Sequence, residues 1–113
     1  MSDTIFDKIL AGEIPSQKVF ENEHVYAFRD INPAAPTHVL VIPKWKVARF
    51  AELKDQQVEN IGEFFKHVSM IASQLGLESD GYRIVINNGE FGCQTVEYLH
   101  AHIIGGRQLG SMG

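Results

Sequence analysis

His100 and His102 stand two residues apart in Gln94-Thr95-Val96-Glu97-Tyr98-Leu99-His100-Ala101-His102-Ile103-Ile104-Gly105-Gly106-Arg107, a run that otherwise reads as a buried strand. Side chains on a strand alternate faces, so Tyr98, His100 and His102 point one way and Leu99, Ala101 and Ile103 the other. Two imidazoles about 7 Å apart along one face are costly to bury without polar partners. Three chemistries fit the pair. The rings can be satisfied by hydrogen bonds in a polar seam. They can hold a metal ion, with His38 as a third ligand. Or one imidazole can attack a phosphate while the second stabilises the charge that develops on it.

The preceding loop bears on the choice. Asn87, Gly89, Gly92, Gln94 and Thr95 place amide, hydroxyl and close-approaching backbone groups just ahead of the histidines, and such groups suit an anion. Each taken singly is also an ordinary turn residue. A second candidate is Phe28-Arg29-Asp30-Ile31, where a base can pack on Phe28 and Ile31 while Asp30 accepts from ribose hydroxyls. The same tetrapeptide also reads as a core phenylalanine followed by an Asx turn. Cys93 reads as a small buried filler, Trp45 as a packing or subunit contact, and His67 as a solvated position off the helix stripe.

These residues need a scaffold, and the pattern supplies one. Thr4 or Asp3 can cap a short helix over Ile5–Leu10 that Gly12 ends. Lys18–Glu21 and His24–Arg29 read as strands around a turn at Glu21-Asn22-Glu23, and His38–Ile42 as a central strand stopped by Pro43. Val58, Ile61, Phe64, Phe65, Val68, Ile71, Ala72 and Leu75 recur at helical period, predicting a long helix over Gln56–Leu75 capped by Asp55 and Gly76. Tyr82–Asn87 is a further strand, and the histidine strand runs from about Glu97 to Ile104. Strands follow one another mostly without helical crossovers, which favours an antiparallel α+β sheet.

Composition narrows the function classes. A chain of 113 residues is expected to form one domain, and 44% hydrophobic with 21% charged residues is ordinary for a globular protein. The formal net charge of −4 gives no footprint for nucleic acid. One cysteine excludes an intrachain disulfide and a multi-cysteine zinc site. No apolar segment approaches the ~20 residues of a membrane-spanning helix, and no basic-then-apolar leader opens the sequence, so a cytoplasmic protein is expected.

Several separated motifs, in order, resemble the histidine triad superfamily in its nucleotide-binding branch. They are Thr4-Ile5-Phe6 with Ile9 and Gly12-Glu13-Ile14-Pro15, then Phe28-Arg29-Asp30-Ile31-Asn32-Pro33, Ala35-Pro36-Thr37-His38-Val39-Leu40-Val41-Ile42-Pro43-Lys44, Gly81-Tyr82-Arg83, and His100-Ala101-His102-Ile103-Ile104-Gly105-Gly106-Arg107. The resemblance spans roughly residues 4 to 108. It implies an α+β fold with a five-stranded antiparallel sheet, and a homodimer in which the long helix and the Tyr82–Asn87 strand meet their mates in a continuous larger sheet. It implies cleavage of a purine nucleoside 5′-phosphoramidate, or of a related nucleotide with a leaving group on its α-phosphate, needing neither cofactor nor metal. AMP and GMP are the expected product-like ligands.

By that resemblance His100 matches the attacking imidazole, and His102 the histidine that contacts α-phosphate oxygens and the bridging atom. His38 matches a supporting histidine. Asn87, Gln94 and Thr95 match phosphate and leaving-group contacts, and Asp30 the ribose carboxylate. Ile5, Phe6, Ile9, Phe28, Arg29, Ile31 and Leu40 match the base pocket. The chain departs from the pattern at Tyr98, where the family carries the first triad histidine. A carbonyl at residue 98 would still accept from His100 and set which nitrogen is free, so reduced or altered activity is expected. The alternative is a nucleotide-binding module with weak or no catalysis that acts through protein partners. Cys93 stands where glycine is common, and the tail after Arg107 lacks an aromatic.

Overall fold

Thr4 starts the first helix by a reciprocal cap. Its hydroxyl accepts from the amides of Phe6 and Asp7, and the Asp7 carboxylate accepts from the Thr4 amide. This starts α1, Ile5–Leu10, in a computed structural model that describes residues 3–112. A six-residue helix is not stable alone. What holds it is the burial of Phe6 and Ile9 against the sheet, at about 1.5–3 kcal/mol per large side chain.

The sheet has five strands: β1 Lys18–Glu21, β2 Val25–Arg29, β3 Thr37–Pro43, β4 Tyr82–Val85 and β5 Ala101–Gly105. Its order is β1-β2-β3-β5-β4, with every neighbouring pair antiparallel. The expected α+β class and the five-stranded antiparallel sheet are therefore present. Alternation divides the strands cleanly. Val25, Ala27, Val39, Val41, Leu99, Ala101 and Ile103 form one core with Phe64, Val68, Ile71 and Ala72 of α2, Val58–Gln74. Tyr26, Phe28, Leu40, Ile42 and Tyr98 form a second core with Phe6 and Ile9 of α1. The register sets Phe28 opposite Leu40, and Leu40 opposite His102, so one row crosses three strands from an aromatic to an imidazole.

Several boundaries differ from the sequence reading, each for a physical reason. The long helix begins at Val58 rather than Gln56, and Asp55 does not cap it. Asp55 instead ends a 3-10 turn, Phe50–Asp55, and Gln57 stands at the N-cap with no side-chain bond. The helix does end as expected, with Gly76 left-handed just past its C-cap Leu75. Regular pairing of the histidine strand starts only at Ala101. Leu99 nevertheless donates its amide to Val47 and keeps its place in the alternation. β4 stops at Val85 and β2 starts at Val25.

His67 is buried rather than solvated. The β1–β2 turn folds onto α2 there, and that tertiary contact leaves no trace in helical periodicity. Asn22 Oδ1 accepts from the amides of His24 and Val25, so its Nδ2 donates to His67 Nε2 at 2.8 Å. His67 Nδ1–H in turn donates to the Glu63 carbonyl at 2.6 Å. No helix among the described residues is long and apolar enough to cross a membrane.

Candidate active site

Between α1 and its face of the sheet lies a cavity of about 330 Å³. Its walls include Ile5, Phe6, Ile9, Phe28, Arg29, Asp30, Ile31, Leu40, Thr95, His100 and His102. These residues come from α1, β2, β3, β5 and their flanking loops, and the fold gathers them on one side of the sheet. Ile14, Pro15, Ser16 and Val96 also line it, and sequence reasoning singled out none of them. Their residue types carry no strong chemical signal; the chain path after α1 brings 14–16 to the cavity wall. His38, Asn87 and Gln94 do not line the cavity.

The hydrogen bonds fix where every relevant proton sits. The Ala34 amide donates to His38 Nδ1 at 3.0 Å. His38 is therefore neutral and protonated on Nε2, which donates to His102 Nδ1 at 2.9 Å. His102 must then carry its own proton on Nε2. That atom is buried and has no partner among the described residues, which makes it an orphaned donor of the kind that folded proteins rarely leave. Asp30 stands behind this chain, Oδ2 lying 3.5 Å from His38 Nε2 while Oδ1 accepts from the Asn32 amide at 2.8 Å in an Asx turn.

His100 is set the opposite way. Its Nδ1–H donates to the Tyr98 carbonyl at 2.7 Å, which leaves a lone pair on Nε2. Phe6 meets the ring edge-on with centroids 4.9 Å apart, and the His102 ring lies 5.0 Å away. Burial lowers the His100 pKa below its usual value, against the opposing pull of the Tyr98 carbonyl and Asp30. Burial also lowers His102, to about 4, helped by His100 and His38. The site thus holds one neutral imidazole offering a lone pair beside another offering N–H.

Tyr98 itself turns away from the cavity. Its hydroxyl donates to the Pro43 carbonyl at 2.5 Å, and its ring packs on Phe6 at 6.2 Å. Burial, and secondarily the Asp7 carboxylate, pushes its phenol well above the usual range, so it stays protonated. Gln94 braces the loop from inside. Its Oε1 accepts from the Gly89 amide, and its Nε2 donates to the carbonyls of Ala48 and Val96. Asn87 is half-buried beyond the end of β4, and Thr95 is exposed at the cavity wall. The loop is closed from outside by a bidentate Arg49–Glu97 pair at 3.0 and 2.8 Å. Cys93 is exposed and left-handed, at φ 64°.

Among the described residues, ligand atoms of Asp30, His38 and His102 converge to within 4.8 Å of one another; His100 is not in this group. This set does not fit a metal ion. Zinc held at 2.0–2.1 Å would separate its tetrahedral ligand atoms by about 3.3 Å, whereas His38 Nε2 and His102 Nδ1 share a proton at 2.9 Å. The Ala34 amide also occupies His38 Nδ1, so Nε2 carries hydrogen where a ligand needs a lone pair.

A model of the HIT domain matches residues 11–109. Over 110 residues the chain is 41% identical to a purine nucleoside phosphoramidase of Escherichia coli strain K12, covering 97% of this chain and 92% of that protein. It is 52% identical over 110 residues to a 14 kDa zinc-binding protein of Zea mays, covering 96% and 85%. The crystal structure of a HIT family hydrolase from Legionella pneumophila superposes with a TM-score of 0.90 at 41% identity, covering 96% of each chain.

Proposed function

Because the chain belongs to the HIT domain family, we propose that it hydrolyses a purine nucleoside 5′-phosphoramidate, or a related nucleotide bearing a leaving group on its α-phosphate. The observation that carries this reading is the buried, unpartnered Nε2–H of His102 beside the open lone pair of His100. A phosphate oxygen satisfies the first while its phosphorus meets the second. The apolar walls from Phe6, Ile9, Phe28 and Leu40 suit a base, and Asp30 lies where it can accept from a ribose hydroxyl.

In the proposed reaction His100 Nε2 bonds to the α-phosphorus and the P–N bond to the amine breaks. The nitrogen takes one proton from solvent as the bond breaks and leaves as the neutral amine. His102 donates a hydrogen bond throughout and does not surrender its proton, since its other nitrogen already accepts from His38. Its worth lies in a donor prepositioned for charge on the phosphoryl oxygens. Water then attacks the phosphorus, its proton passes to solvent, and His100 is released with the nucleoside monophosphate. Gln94 serves in this scheme by bracing the loop that carries Thr95 toward the leaving group.

Tyr98 stands in place of the first triad histidine, and its carbonyl supplies the orienting acceptor that His100 needs. That substitution also favours a second reading, a nucleotide-binding module with little turnover. The two are separated by turnover of an adenosine 5′-phosphoramidate and by His100→Ala. The hydrolase reading expects the variant to lose at least ~100-fold in rate, as for removal of a covalent nucleophile, while still binding AMP. A variant that turns over like the parent overturns it, and a parent with binding but no turnover favours the module. Assembly as a homodimer through β4 is part of the proposal. β4 ends the sheet order, and Tyr82 and Ile84 on it are exposed.

A further inference from the structure

The face of the sheet that carries His102 continues past the cavity onto β4. His102 pairs with Val85, and Ile104 pairs with Arg83. Directly paired residues share a face, so Arg83 and Val85 stand on the histidine face rather than on the α2 face with Ile103. Arg83 is diagonal to His102, and such positions lie about 7–8 Å apart, within reach of a long side chain. No β4 residue lines the cavity under α1. Arg83 is half-buried, and its Nη2 donates to the Gly110 carbonyl at 2.6 Å. That bond leaves other guanidinium N–H groups uncommitted, and no carboxylate among the described residues pairs with Arg83. Together with Arg107, Arg83 lines a separate cavity of about 460 Å³ whose carboxylate, Asp80, is exposed. Two guanidinium groups against one carboxylate give those walls a net positive charge.

We propose that Arg83 reads the leaving group, selecting nucleoside 5′-phosphoramidates whose amine carries a carboxylate. The inference rests on the hydrolase reading above and deepens it by naming a substrate class. In-line displacement puts the attacking and leaving atoms on opposite sides of phosphorus. His100 packs edge-on against Phe6 of α1, so a group leaving opposite His100 Nε2 departs away from α1. On that side the neighbour of β5 is β4, with Val85 opposite His102 and Arg83 beyond. A neutral amine meets there only the apolar Val85 and Ile104. An amine bearing a carboxylate brings an anion to a cation whose present acceptor is a neutral carbonyl, and the charge-assisted bond is the stronger of the two. Pairing of β4 with a second copy would engage the backbone groups of its edge and leave the side chains of this face standing perpendicular to the sheet.

The test is kcat/KM for the adenosine 5′-phosphoramidates of glycine and of glycinamide, its neutral counterpart, in the parent, Arg83→Gln and Arg83→Lys. The ratio of the two substrates within one protein is compared across proteins, which cancels the different intrinsic reactivity of the two amines. Arg83→Gln is expected to lower the glycine-to-glycinamide ratio about 5- to 10-fold, the worth of one charged hydrogen bond at a partly exposed site. Arg83→Lys, which keeps the charge, is expected to retain part of the preference. The parent's own ratio is expected to fall as salt is raised, because screening weakens an ion pair and spares the neutral substrate. A merely structural role for Arg83 slows both substrates alike and leaves the ratio where it was. A ratio moved by neither Arg83→Gln nor salt, or a parent that cleaves only the glycinamide substrate, overturns this inference alone. Absence of turnover of either substrate by the parent overturns the hydrolase reading and this inference with it.

Discussion

Acid should destabilise this protein through His102, and by an amount the site itself sets. The ring is held neutral by burial and by its neighbours His100 and His38, so its pKa falls from 6.5 to about 4 on folding. Between those two values the unfolded chain binds more protons than the native one. The stabilisation is thus complete above pH 6.5, declines as pH falls through the window, and levels off below about 4. A fully linked group changes stability by about 1.4 kcal/mol per pH unit inside the window, or about 2 kcal/mol between pH 7 and pH 5. The ring is not wholly shielded from solvent, and screening trims this to about 1–1.5 kcal/mol. Urea unfolding followed by Trp45 fluorescence at the two pH values measures it, with His102→Gln as the reference that lacks the titrating group. The parent is expected to lose about 1–1.5 kcal/mol more than His102→Gln on going from pH 7 to pH 5. Equal losses would refute the assignment of His102 as a ring locked neutral by its surroundings.

Other expectations follow from single contacts. Tyr98→Phe removes the donor to the buried Pro43 carbonyl while keeping the ring, and should cost about 1–3 kcal/mol in urea unfolding; no change would show that the carbonyl finds another partner. Cys93 pays for a left-handed backbone that only glycine adopts freely, so Cys93→Gly should raise stability by about 1 kcal/mol whereas Cys93→Ala should not. The pH profile of kcat/KM for phosphoramidate cleavage should have its acid midpoint below the ordinary imidazole value of 6.5, because burial lowers the His100 pKa. A midpoint above 6.5 in the pH profile of kcat/KM would contradict this.

Much of this scaffold could be read before any coordinates. Thr4 announces the start of α1 as a cap, and the Phe64–Ile71 stripe announces α2, since caps and helical period are local properties of the chain. The strand face shared by Tyr98, His100 and His102 was legible for the same reason: alternation persists even where regular pairing has not begun. Contacts set by distant segments were not. His67 looked solvated because its burial comes from Asn22 across a hairpin. Asp55 looked like a cap because the 3-10 turn before it has no strong local signature. Gln94 was singled out as a phosphate contact on its residue type, yet its whole amide is spent on Gly89, Ala48 and Val96.

The protonation pattern of the site is governed from its two ends by backbone groups. At one end the Ala34 N–H dictates the His38 tautomer, which dictates that of His102 and leaves a donor facing the cavity. At the other the Tyr98 C=O dictates the His100 tautomer and leaves a lone pair. Neither end consults the side chain at position 98. An imidazole there could adjust basicity, but it is not what aims His100. The phenol is consequently free to do something else, and it ties the segment before β5 to the end of β3 through Pro43. That tie holds in place the very carbonyl on which His100 depends. Tyr98 is thus coupled to the candidate nucleophile through the backbone. Loosening its anchor by Tyr98→Phe should therefore reach the His100 ring even though the two side chains share no hydrogen bond.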